Sequence, residues 1–128
     1  EHIDRIARIV RQMSDLARPK SGRRAPSDLN QIVRRAVEVV RYDRRARDTE
    51  VRFEFAEHLP LVHVVEDELT QVCINLALNA FDAMADNGPE RPRRLTVSSR
   101  FDGRTVSVRF VDTGSGVPRE VRSRLFQP

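Results

Sequence analysis

The sequence predicts a two-layer α+β sandwich, with helices on one face of a sheet of antiparallel strands. Three observations carry this reading. Apolar residues recur at three- and four-residue steps along three stretches, the period of a helix with one buried face. They alternate with polar residues at Val51–Phe55, Leu95–Phe101 and Thr105–Val111, the period of a half-buried strand. Asp102-Gly103 separates the last two runs and is a strong hairpin signal.

Taken in order, the first segment runs from His2 to Ala17. Ile3, Ile6, Val10, Met13 and Ala17 form its apolar stripe, widened by Ile9 and Leu16. A lone helix of this length cannot bury such a stripe, so it needs partners in a further segment or a second chain. Pro19 ends it, and Lys20 to Pro26 reads as a short linker. A second helix is expected from Ser27 or Asp28, where Asp28 and Gln31 resemble a capping box. Leu29, Ile32, Val33, Ala36, Val37 and Val40 supply its buried face, and it fades by Arg45. The strand at Val51–Phe55 follows, then a further short strand within Leu61–Val65. The third helix is expected from Glu66 or Asp67 to Ala85, stopping before Asn87-Gly88-Pro89. After the hairpin, Asp112 to Gly116 is a Gly-rich loop, and Pro118 is expected to open a short helix carrying Val121 and Leu125.

Composition narrows the class. The chain has 128 residues, enough for one domain, with 39% hydrophobic and 33% charged residues. Its single cysteine, Cys73, rules out an internal disulfide and fits a reducing cytoplasm. No apolar run reaches the roughly 20 residues of a membrane span, and no signal peptide is present. A first residue Glu1 suggests a piece of something longer, with any sensor or membrane segment outside it. The formal charge of +4 hides an asymmetry, because all 23 Lys and Arg residues lie outside Phe53–Glu90. A basic excess can signal nucleic-acid binding. Here the arginines are scattered over helix faces and strands, and the hairpin offers only Phe101 and Phe110 for stacking, so no nucleic-acid partner is expected.

Two features carry chemistry. Glu68, Gln71, Asn75, Asn79, Asp82 and Asp86 share one face of the third helix, opposite Leu69, Cys73, Leu76, Ala80 and Met84. A merely wet helix face usually carries Lys, Glu or Arg, whereas Asn competes with its own backbone. An amide oxygen can ligate a hard cation such as Mg²⁺, and the amide NH₂ can donate to a phosphate. On residues alone this reading stands level with a plain amphipathic helix. The second feature is Asp112-Thr-Gly-Ser-Gly116 at a strand end, where glycines admit close backbone approach and an Asp can accept from a ligand amine. A plain Asp-x-Gly turn is the alternative. Asp-Thr-Gly also opens the active-site loop of aspartic proteases, but too little chain follows it here, and the first half is too helical.

Together these motifs resemble the histidine kinase branch of the GHKL ATPase superfamily, over nearly the whole chain. Asp67 to Met84 resembles the N box, Asp112 to Gly116 the G1 box, and Leu125-Phe-Gln-Pro128 the opening of the F box. Residues 1–18 resemble the end of a dimerisation and phosphotransfer helix, 19–26 the linker, and 27–128 a partial ATP-binding domain of the Bergerat fold. The resemblance implies ATP and Mg²⁺ as ligands. Asn79 would coordinate the Mg²⁺ and Asn75 would sit beside the phosphates. Asp82 would lie at the pocket wall, Asp112 would accept from the adenine amino group, and Gly114 and Gly116 would let the loop approach the base. ATP-hydrolysing members place a Glu base where Asn75 stands, so Asn75 favours holding ATP for transfer. The implied partners are a second copy through the dimerisation helices and the receiver domain of a response regulator. The implied location is the cytoplasm, or the cytoplasmic part of a membrane-bound kinase. The family's phosphoacceptor pattern is absent, since His2, His58 and His63 match none of it, and the lid and final helix and strand are also lacking. No residue is assigned as catalytic, and the chain is not expected to autophosphorylate alone. A GHKL hydrolase and a non-catalytic dimerisation module are the alternatives.

Overall fold

The computed structural model describes residues 23–114 and 119–124. The expected helix from His2 to Ala17, Gly116, Pro118 and the segment 125–128 lie outside the described residues.

Helix α1 spans Leu29–Val40. The Asp28 carboxylate caps it by accepting from the Gln31 N–H at 3.3 Å, as the sequence predicts. All six expected residues, Leu29, Ile32, Val33, Ala36, Val37 and Val40, are buried. A short 3-10 turn, Arg44–Ala46, follows. Helix α2 spans Glu66–Ala83, with Glu66, Asp67 and Glu68 in its first turn, where carboxylates favour the positive end of the helix dipole.

The strands are β1 (Ala25–Ser27), β2 (Thr49–Glu54), β3 (Val62–Val64), β4 (Arg93–Phe101), β5 (Thr105–Asp112) and β6 (Arg119–Arg124). A four-stranded sheet has the order β2-β4-β5-β6, and β1 pairs with β3 in a second small sheet. Gly103, at φ +95°, makes the β4–β5 turn, and Asp102 Oδ1 accepts from the N–H groups of Arg104 and Thr105 at 2.9 and 2.7 Å.

Three expectations are corrected. The sheet is mixed, because β2 pairs with β4 in parallel while the other pairs are antiparallel. The cause is the connection: α2 lies between β2 and β4 in sequence, long enough to carry the chain back to the same end. Residues at the end of the expected linker form β1, whose Ala25, Pro26 and Ser27 stand opposite Val64, His63 and Val62. The segment Arg119–Arg124 is a strand, where a helix was expected. It covers the β5 edge, which would otherwise present unpaired N–H and C=O groups, and it sets Glu120 opposite Arg109 at 3.7 Å.

Both helices pack on one face of the larger sheet. Leu95 and Val97 of β4 and Val106, Val108 and Phe110 of β5 are fully buried there, beneath Val33, Ala36, Val37, Cys73, Ala77 and Ala80. Phe81 and Phe110 are the largest fully buried side chains, each worth about 1.5–3 kcal/mol of burial. The half-buried Phe53 and Phe55 are covered by the Arg34 guanidinium, 4.6 and 5.2 Å from their ring centres.

Candidate functional site

The strand period places Asp112. Val106, Val108 and Phe110 face the helices, so Asp112 ends the same buried row, opposite Leu95. It is 4% exposed, a carboxylate closing an otherwise apolar row. Its Oδ1 accepts the Gly114 N–H at 2.7 Å, which folds the chain back after the strand.

The loop is then pinned to the end of α2. Thr113 Oγ1 donates to the Pro92 carbonyl at 2.7 Å and accepts the Arg94 N–H at 3.1 Å. Asn87 Nδ2 donates to the Thr113 carbonyl at 3.4 Å. Gly114 lies directly on the last turn of α2. A Cβ at this position would overlap the Ala83 carbonyl oxygen and stand 2.6 Å from its carbon, so only glycine fits without moving backbone. Beside this contact is a cavity of about 440 Å³, lined in part by Ala83, Asp86, Asn87, Gly88 and Gly114.

The polar face of α2 carries the remaining predicted residues. Asn75 is half-buried and its Oδ1 accepts from Gln71 Nε2 at 3.2 Å. Asn79 is exposed one turn further on. Asp82 follows after three residues, its Oδ2 lying 3.6 Å from Arg45 Nη1 of the 3-10 turn. The structure therefore brings Asp112 and Gly114 to the C-terminal end of the helix that bears Asn75, Asn79 and Asp82. These three stand on the helix face and not in the cavity lining.

Thr113, Asn87 and Arg45, which contact the predicted site residues or their loop, are not singled out by the sequence for the site. Thr113 had a signal in sequence, since a β-branched hydroxyl between Asp112 and Gly114 can pin a loop. Arg45 had none, because its reach to Asp82 depends on how the turn packs on α2. Burial pushes the Cys73 thiol up to about 12, so it is no nucleophile. Among the described residues no three His, Cys, Asp or Glu side chains cluster as a metal site. Nor is any helix among them long and apolar enough to cross a membrane.

Two helices over one face of a mixed sheet, with an asparagine-bearing helix meeting an Asp-Thr-Gly loop, is the layout of the GHKL catalytic domains of histidine kinases. The chain belongs to the histidine kinase-, DNA gyrase B- and HSP90-like ATPase family, whose profile matches residues 64–128. Sensor histidine kinase ZraS of Escherichia coli (strain K12) is 29% identical over 125 residues, which are 98% of this chain and 26% of ZraS. The chain thus spans about a quarter of that relative's length. Full-length ShkA, solved in complex with AMPPNP, superposes with a TM-score of 0.60 at 24% identity over 73% of this chain and 19% of ShkA. Histidine kinase ThkA, solved in complex with response regulator protein TrrA, gives a TM-score of 0.61 at 20% identity over 87% of this chain and 32% of that one. These two superpositions speak for the fold.

Proposed function

We propose that this chain is the nucleotide-holding part of a sensor histidine kinase. In the intact protein it presents Mg·ATP so that the γ-phosphoryl passes to a histidine outside these 128 residues, and then to an aspartate of a response regulator. The observation that carries this reading is Asp112, a buried carboxylate at the lip of the sheet, beside a loop that must be glycine at position 114. A carboxylate there would accept from the exocyclic amine of adenine, Gly114 would let the loop approach the base, and Gly116 is assigned the same role by its place in the motif.

The residues of α2 fit the rest of the nucleotide. The Asn79 amide oxygen suits a hard cation, and it is the group we assign to Mg²⁺. A bound Mg²⁺ supplies charge neutralisation at the phosphates. Asn75 would sit beside the phosphates, and since its amide cannot take a proton from water, it favours holding ATP for transfer over hydrolysis. We assign Asp82 to the wall of the nucleotide site on the α2 face, apart from the cavity beside Gly114. Catalysis by such a domain is mainly positioning and charge neutralisation. ShkA with AMPPNP, ThkA with TrrA and the sensor kinase ZraS support the reading. Residues 1–18 are assigned to the dimerisation helix and 19–26 to a linker whose last two residues already pair with β3 of the nucleotide domain, 27–128.

Calorimetric titration of Mg·ADP into this chain and into Asp112→Ala tests the proposal. A hydrogen bond to a charged acceptor is worth about 1.5–3 kcal/mol, so the variant should bind roughly ten- to a hundredfold more weakly. Equal affinities would refute the adenine assignment. Incubation with labelled ATP should mark none of His2, His58 and His63.

A further inference from the structure

We propose that Arg45 is a positioning residue of the nucleotide site: it holds the Asp82 carboxylate and offsets its repulsion of a polyphosphate. The inference rests on the nucleotide reading above and extends it to a residue outside every family motif.

The starting point is a misplaced charge. Asn75, Asn79 and Asp82 follow one another at steps of four and three on the same face of α2. A polyanion laid along the two asparagines meets a carboxylate one turn on. Unit charges of like sign several ångströms apart at a half-exposed site repel by enough to change affinity about threefold to tenfold. The fold brings a cation to that carboxylate. Arg45 Nη1 stands 3.6 Å from Asp82 Oδ2. Its other guanidinium nitrogens are committed to Asp43, with Nε at 3.2 Å from Oδ1 and Nη2 at 3.5 Å from Oδ2. Asp43 also accepts the Arg45 backbone N–H at 2.8 Å and so caps the turn that carries it. The buried Ala46 seats this turn on the core. Asp43 thus aims the guanidinium, and the free end of the fork meets Asp82.

Stability does not account for the arrangement. The Arg45 and Asp82 side chains are 47% and 54% exposed. Exposed pairs of this kind add little to folding. The effect of the pair is local, on the potential along the α2 polar face, and it acts through Asp82 and not by touching the base.

A double-substitution cycle tests this with nucleotides of different charge. Affinities for Mg·ATP, Mg·ADP and adenosine are measured for the chain, Arg45→Ala, Asp82→Asn and the double variant. We expect Arg45→Ala to weaken Mg·ATP about threefold to tenfold, Mg·ADP less, and adenosine not at all. Asp82→Asn in the Arg45→Ala background should restore Mg·ATP binding, because the uncompensated charge is gone. An Arg45→Ala loss equal for all three ligands would reveal a structural role and overturn the inference, as would a double variant no better than Arg45→Ala. The Asp112→Ala titration reports separately on the nucleotide reading itself, so the two failures are distinct.

Discussion

At the scale of single residues, the site is governed by where the polypeptide cannot carry a side chain and where it can bury a charge. Gly114 is fixed by the Ala83 carbonyl above it, and Asp112 by the parity of β5. Cys73 illustrates the opposite case, a thiol whose surroundings remove its chemistry. It is fully buried in α2 and burial alone raises its pKa from 9.0 to about 12. An alkylating reagent at pH 8 should therefore leave Cys73 unmodified until the chain is unfolded in denaturant. Rapid labelling of the native chain would contradict its burial. The linkage has a definite sign. The folded pKa lies above the unfolded one, so the contribution is full below pH 9 and is lost as pH rises from 9 towards 12. Stability measured by urea titration should fall over that window in the parent and less so in Cys73→Ala.

At the scale of elements, each helix is set by its ends as much as by its stripe. Asp28 is the clearest cap, and Asp28→Ala should cost about 1 kcal/mol in urea unfolding, with Asp28→Asn close to neutral. An equal loss in both variants would show that charge, and not the cap hydrogen bond, matters there. The elements also show what a sequence exposes. The six buried positions of α1 were readable because period and cap agree over Asp28–Val40. The hairpin was readable because Asp102-Gly103 encodes its own turn. β1 was not, since Ala25-Pro26-Ser27 has no strand formers and exists through pairing with Val62–Val64. Nothing local in Thr49–Glu54 states that its neighbour runs parallel. In Arg119–Arg124 the residues suit helix and strand alike, and the free edge of β5 decides. At the candidate site, the asparagine stripe and the Asp-Thr-Gly run stood in the sequence. Their meeting at Ala83 and the reach of Arg45 to Asp82 did not, because both depend on packing between distant segments.

At the scale of the whole molecule, the charge asymmetry of the sequence finds a use. The stretch Phe53–Glu90, without Lys or Arg, contains α2, and arginines from neighbouring segments come to it. Arg35 of α1 reaches Glu66 at 3.9 Å, Arg45 reaches Asp82, and Arg93 donates to the Ala85 carbonyl at 2.9 Å. The parallel pairing of β2 with β4 has a kinetic meaning. The β4–β5 hairpin closes locally, whereas the Glu50–Arg94 contact of the parallel pair spans 44 positions. Closing a loop of that size carries an entropic cost before any bond repays it, so β2 should join last. Pulse-labelled hydrogen exchange during refolding should protect β4 and β5 amides before those of β2, and simultaneous protection would argue against this order. The closing loop contains all of α2. The last strand to dock therefore completes the sheet around the asparagine helix, and a chain arrested before that step would hold its hairpin but leave the polar face of α2 unordered.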